Sequence, residues 1–271
     1  MSQPMRVDPE TIARILEETA AQEILPRFRR LADHEISTKD GGELVTSADL
    51  AAEAALTRRL TDLLPGSRVV GEEGTALTPA LLDDLAGGDP VWLVDPVDGT
   101  GNFAAGRPVF AVMVALVYGG EILAGWIHEP VAARTAMAEA GSGAWMAGRR
   151  LRVAPPATTG GMRGTLHVGR YGGPEIRRRV EARRAGLGAI RSLHCAGAEY
   201  LRLACGEMHY SLFTKMMPWD HAPGVVIHRE AGGLARTFDG RPYEPARRDT
   251  PGLLLTPDEA SWQNLNEVLL A

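Results

Sequence analysis

The chain has 271 residues and a formal net charge of −5, with 45% hydrophobic and 23% charged residues. That balance excludes disordered and fibrous classes, points to one large domain or two coupled halves, and argues against a nucleic-acid binder relying on bulk basic charge. Of 29 basic residues only Lys39 and Lys215 are lysines, and neither follows a glycine, which removes the Gly-Lys-Ser/Thr phosphate loop.

In chain order, Ile12, Ile15, Leu16, Ala20, Ile24, Leu25, Phe28 and Leu31 recur at three- and four-residue steps and predict a helical opening. Thr46-Ser47-Ala48-Asp49 offers a capping box for a second helix. Trp92-Leu93-Val94 predicts a buried strand ending at Asp95, where Pro96 and Gly99 turn the chain. AVMVALVY (111–118), Gly119-Gly120 and EILAGWIHE (121–129) read as a β-hairpin, continued by an antiparallel meander through RTAMAEA and AWMAG. PPATTGGM (155–162) marks a boundary between an antiparallel α+β half (1–154) and an alternating α/β half (155–271). In the second half, strands at TLHVG, IRSLHCAG and HYSLF precede helices at 174–185, up to Gly206, and at 220–231. Thr256-Pro257-Asp258-Glu259 combines a capping box with proline at the first helical position. Cys195 and Cys205 are expected to be reduced thiols. The opening residues show no signal pattern, and the longest apolar run, 109–118, is too short to span a bilayer. A cytoplasmic protein without membrane contact is expected.

The densest chemistry lies in Asp95-Pro96-Val97-Asp98-Gly99-Thr100. Its five fixed positions (the two aspartates, proline, glycine and threonine) arise by chance in roughly one chain per ten thousand, so the pattern is specific. The two aspartates either cap the turn or converge as ligands. Glu72 follows Val69-Val70, Asp220 opens a helix, and Asp49 sits in a first helical turn; each also reads as a solvated or dipole-favoured charge. If the fold gathers them, carboxylates about 4 Å apart repel by roughly 1–4 kcal/mol per pair unless a cation neutralises them. An all-oxygen cage suits Mg²⁺ or Mn²⁺ rather than zinc. With the helix N-terminus expected after Gly99-Thr100 as a phosphate seat, the set describes metal-assisted phosphoryl transfer to water.

GEE (71–73), WLVDPVDGTGNF (92–103) and WDHAPGVVIHREAGG (219–233) resemble the three signatures of the inositol monophosphatase family, and Lys39…Leu44-Val45-Thr46-x-x-Asp49 resembles a fourth. The resemblance implies a layered α-β-α-β-α sugar-phosphatase fold, commonly a homodimer, with lithium sensitivity. It implies that Glu72, Asp95 and the Val97 carbonyl hold a first Mg²⁺, that Asp95, Asp98 and Asp220 hold a second, and that Glu72 contacts a third. Asp49 and Thr100 would orient and deprotonate the attacking water, with Glu72 also serving catalysis. The Gly99 and Thr100 amides would hold phosphate, with Lys39, Phe213 and Lys215 toward the substrate.

There are departures. Inositol-specific members carry a carboxylate seven residues before the Trp-Asp aspartate, where this chain has Phe213 and no acid nearby. Gly101, His221 and Pro223 also differ from the usual residues. Lys215 is expected to meet a second anionic group or to be a solvated lysine. His221 and His228, two helical turns apart, are too distant to share a metal. The expected activity is hydrolysis of a small phosphorylated metabolite, an inositol-phosphate-like, sugar or alcohol phosphate. Histidinol phosphate, fructose bisphosphate or a 3′-phosphonucleotide are alternative substrates, and a catalytically silent binding relative is the alternative of another class.

Overall fold

A computed structural model describes residues 7–39, 42–189 and 191–270. Asp8 caps helix α1 (Pro9–Thr19), accepting from the amides of Glu10 and Thr11, and the chain continues through a π-helical turn at Ala20–Ile24. Strands β1 (Ile36–Thr38) and β2 (Leu44–Thr46) pair antiparallel and lead into α2 (Ser47–Leu63). There the expected capping box forms: the Ala48 amide donates to Thr46 Oγ1, and Asp49 Oδ2 accepts from the Thr46 amide.

The next elements are β3 (Arg68–Gly71), α3 (Glu72–Leu77), β4 (Val91–Asp98), α4 (Thr100–Ala104), β5 (Ala111–Tyr118), β6 (Glu121–Glu129), β7 (Arg134–Glu139), β8 (Gly143–Met146) and β9 (Arg149–Arg150). Strands β3 to β9 form one seven-stranded sheet in chain order, antiparallel except for the β3–β4 pair. The 111–129 hairpin stands as read, turning on Gly119 and Gly120 at positive φ.

The chain then runs through β10 (Arg163–His167), α5 (Gly173–Arg183), β11 (Gly188–Ala189), α6 (Ala196–Ala204), β12 (Tyr210–Phe213), α7 (Pro218–Glu230), β13 (Leu234–Thr237), β14 (Leu253–Thr256) and α8 (Glu259–Leu270). Its second sheet has the order β11-β10-β12-β14-β13.

Side-chain alternation along the strands explains the stacking. From the large sheet Trp92, Val94, Val112, Val114 and Trp126 face α1 and α2 through Ile12, Leu16, Leu56 and Leu60. Leu93, Met113 and Ile127 face the opposite way, toward α6 and α7, which the second sheet covers in turn through Phe213, Leu253 and Leu255. On that sheet's far face Leu212 and Leu254 pack with Val180 of α5 and Leu265 of α8. The result is the expected α-β-α-β-α layering. Helices α6 and α7 approach so closely that a Cβ on Gly224 would lie 2.1 Å from the Tyr200 ring.

Three local expectations are corrected. Strand β4 runs on to Asp98 rather than stopping at Asp95, with the register shifting between the two; a bulge there accommodates Pro96, which has no N–H to donate. The expected strand over 190–197 does not form in described residues 191–195. Left-handed His194 (φ 53°) breaks it, while the Leu193 amide donates to the Glu199 side chain. Asp258, not Thr256, caps α8 by accepting from the Ser261 amide at 2.8 Å, because Thr256 still belongs to β14. No helix among the described residues is long and apolar enough to cross a membrane.

Candidate active site

Parallel pairing of β3 with β4 sets Gly71 beside Val94, so the next residues, Glu72 and Asp95, leave the sheet side by side. Helix α7 brings Asp220 in its first turn. Ligand oxygens of Glu72, Asp95 and Asp220 all lie within 4.8 Å of one another. All three carboxyls are pushed above their usual range, burial being the leading cause for each. Mutual repulsion adds to the shifts of Glu72 and Asp95, whereas Lys215 opposes that of Asp220. Asp95 is 2% exposed and takes one donor, the Val97 amide, on Oδ1 at 3.1 Å.

Both lysines of the chain stand here. Lys39 Nζ bridges Glu72 and Glu73 at 2.8 and 2.7 Å. Lys215 Nζ bridges Glu43 and Asp220 at 3.1 and 3.4 Å. Burial disfavours the charge on Lys215, but Asp220, Glu72 and Glu43 outweigh it and hold the ammonium. Two cations thus edge a group of hard oxygen donors that they only partly neutralise. An oxygen-only, mutually repelling set with Asp95 buried and Glu72 and Asp220 partly so fits a divalent cation such as Mg²⁺.

Asp98 is not one of the three clustered carboxylates, although it lines the same cavity of about 320 Å³. Its Oδ2 accepts from the Gly197 amide at 2.7 Å and from Cys195 Sγ at 3.0 Å, turning it toward the start of α6. Burial pushes the Asp98 pKa up to about 6. Raised above its ordinary value, this group contributes stability fully present below about pH 4 and lost as pH rises through 6. In chelator, Asp98→Asn is therefore expected to gain stability over the parent chain between pH 4.5 and 7, on the order of 1–3 kcal/mol, read from melting curves. A constant difference across that range would contradict it.

Asp49, fully buried, has Oδ2 held by the amide and hydroxyl of Thr46 at 2.9 and 2.5 Å. Its Oδ1 lies 3.2 Å from Thr100 Oγ1, which also stands 3.0 Å from the Val97 carbonyl. Burial raises the Asp49 pKa to about 6. Gly99 takes φ +89°, where a side chain would be strained and its Cβ would press the Val109 carbonyl at 3.1 Å. The first amides of α4 have no helical partners, and Gly99, Thr100 and Gly101 line the cavity.

A second cavity of about 500 Å³ adjoins the first, sharing Asp98, Lys215 and Asp220. Phe213 lines it, 5% exposed, with its ring stacked against those of His167 and Tyr200. His221 and His228 are buried and separately engaged, His221 with Tyr200 and the Lys215 carbonyl, His228 with the Thr256 carbonyl. The cysteines are free.

Sequence reasoning passed over Glu53, whose carboxylate caps α3 by accepting from the Glu73 and Gly74 amides at 2.8 and 2.6 Å. Its position one turn after Asp49, on the same face of α2, was the available signal. Cys195 as a partner of Asp98, and the pairing of His167 with Glu199, had no linear signal at all.

The model of the inositol monophosphatase family matches residues 8–269. An inositol-1-monophosphatase of Mesorhizobium japonicum is 36% identical over 221 residues, 79% of either chain. A fructose-1,6-bisphosphatase/inositol-1-monophosphatase of Thermotoga maritima is 32% identical over 202 residues, 73% of either chain. Among solved structures, the Thermotoga maritima IMPase superposes with a TM-score of 0.81 at 24% identity, covering 96% of this chain and 95% of that one.

Proposed function

Because the chain belongs to the inositol monophosphatase family, whose members include phosphoric monoester hydrolases, we propose that it releases phosphate from a small phosphorylated alcohol or sugar with the help of Mg²⁺. The observation carrying this reading is the meeting of Glu72, Asp95 and Asp220 beside the Asp49–Thr100 pair. Glu72, Asp95, Asp98, Asp220 and the Val97 carbonyl would hold two or three Mg²⁺ ions, with Mn²⁺ as a substitute. When bound, the cations acidify a water and offset charge on the phosphoryl oxygens.

The chain's own groups do the rest. Asp49 Oδ2 is occupied by Thr46, so Oδ1 is the atom that exchanges a proton with Thr100. The Thr100 hydroxyl takes a proton from the attacking water while passing its own to Asp49. The unpaired amides of Gly99 and Thr100 hold phosphoryl oxygens, and the leaving alcohol lies in the adjoining cavity, past Lys215 and Phe213. Lys39 acts through the two carboxylates it bridges. Phe213 brings no polar atom to that cavity, which favours a leaving group other than inositol. The halves 1–154 and 155–271 supply the carboxylates and the leaving-group wall respectively, with Asp220 and Lys215 crossing from the second. A cytoplasmic homodimer completes the reading, the free thiols agreeing with a reducing compartment.

The test is phosphate release from a panel of inositol, sugar, histidinol and nucleotide phosphates, with Mg²⁺ and with chelator. Release is expected only with Mg²⁺. No release from any ester would favour the catalytically silent relative.

A further inference from the structure

One wall of the leaving-group cavity has no part in the reaction so far derived. Glu199 of α6 is fully buried, yet burial fails to raise its pKa: the bonds from His167, Thr165 and Leu193 lower it instead. Four donors converge on its carboxylate, from His167 Nε2 at 2.5 Å, Thr165 Oγ1 at 2.6 Å, the Leu193 amide at 2.8 Å and Ser192 Oγ at 3.1 Å. An ionised carboxylate only accepts, so in neutral His167 the shared proton sits on Nε2 and Nδ1 carries a lone pair. Nδ1 has no partner among the described residues.

His167 lines the cavity with its side chain 24% exposed. Behind it the Phe213 ring lies parallel at 4.7 Å and 12°, and the Tyr200 ring stacks on Phe213 at 5.7 Å and 12°. Its main chain is pinned too, the His167 carbonyl accepting from the Thr214 hydroxyl at 2.9 Å. The imidazole is thus backed on one face, tethered at one nitrogen and open at the other.

We propose that His167 is a specificity-determining residue, its Nδ1 accepting a hydrogen bond from a hydroxyl of the leaving group, with Glu199 as its positioning residue. The inference rests on the phosphatase reading above. Phe213 serves as the platform rather than the reader, and polar recognition moves one ring outward to His167. The substrate class is a phosphate ester whose alcohol carries a further hydroxyl near the ester oxygen.

The experiment compares glycerol 2-phosphate, which has such hydroxyls, with 4-nitrophenyl phosphate, which has none, at pH 8 with Mg²⁺. His167→Ala is expected to raise the ratio of the two KM values by three- to tenfold, the effect of one neutral hydrogen bond, with the loss in KM rather than kcat. Glu199→Gln, whose amide can donate to Nε2 and invert the tautomer, turns Nδ1 into a donor to which the same hydroxyl can still accept, and is expected to raise the ratio by less than His167→Ala. His167→Asn, with an oxygen near the Nδ1 position, recovers part of the loss. Imidazole ¹⁵N shifts of the metal-free chain, a readout independent of turnover, should show the Nε2–H tautomer, inverted in Glu199→Gln. An unchanged KM ratio in His167→Ala, or the opposite tautomer in the parent chain, would overturn the proposal. Failure of the parent chain to hydrolyse either ester would instead overturn the phosphatase reading beneath it.

Discussion

Asp95→Asn should lower phosphate release by about 10³-fold or more while the chain still folds. Asn keeps the shape of the side chain and can still accept from the Val97 amide, but it removes the most deeply buried carboxylate from a set of three anionic ligands whose other two are partly buried. A cation's stabilisation of transition-state charge is worth several kcal/mol, and about 4 kcal/mol corresponds to that loss in rate. The fold should not suffer. Asp95 is raised by burial and by repulsion from Glu72, Asp98 and Asp220, so a neutral residue relieves strain in the metal-free protein and its melting temperature should hold or rise. Steady-state kinetics together with thermal melts in chelator check both halves. Activity within tenfold of the parent chain, or a variant that does not fold, would remove Asp95 from the role assigned to it.

The second large effect belongs to Asp49, which is hydrogen-bonded to Thr46 and Thr100 and to which the proposed reading assigns a proton transfer. Asp49→Asn should lower kcat by 10²- to 10⁴-fold, the usual range for a positioned base, and change KM little. Thr100→Ala should do about the same, and the double variant should be no worse than the more severe single one, because the two act as one relay. The pH profile gives an independent reading. Burial raises the Asp49 pKa to about 6 in the metal-free chain; bound cations lower it, so with Mg²⁺ the parent enzyme's rate should fall as pH drops below 6. At saturating Mg²⁺, where protons no longer compete for the carboxylate ligands, Asp49→Asn should lose the acid fall that remains. Additive losses in the double variant, or an unchanged acid limb, would separate Asp49 from the reaction.

Local features were legible in the order of residues because their rules act over a few positions. The Thr46–Asp49 capping box, the 111–129 hairpin and the start of α7 near Asp220 all formed. Misreadings fell where a distant group competed. In 191–195 only Leu193 and Cys195 are apolar, and there Glu199 takes the Leu193 amide while Asp98 takes that of Gly197. Strand β4 runs on past Asp95 because β5 continues to pair with it beyond the bulge, reaching Asp98.

By itself the sequence determined which residues could do the chemistry: a specific Asp95–Thr100 motif, a carboxylate after β3, another at the start of a helix, and two lysines among 29 cations. Caps, turns and strand periods are short-range, so they show in a one-dimensional pattern. Only the tertiary structure decided which of those groups meet. The β3–β4 register set Glu72 beside Asp95, and the layering of α7 against the large sheet brought in Asp220. It also turned Asp98 toward Cys195, spent both lysines on pairs of carboxylates, and raised His167 on a stack of rings. Register and layer packing are set by the summed burial of whole faces, and no window of neighbouring residues carries that sum.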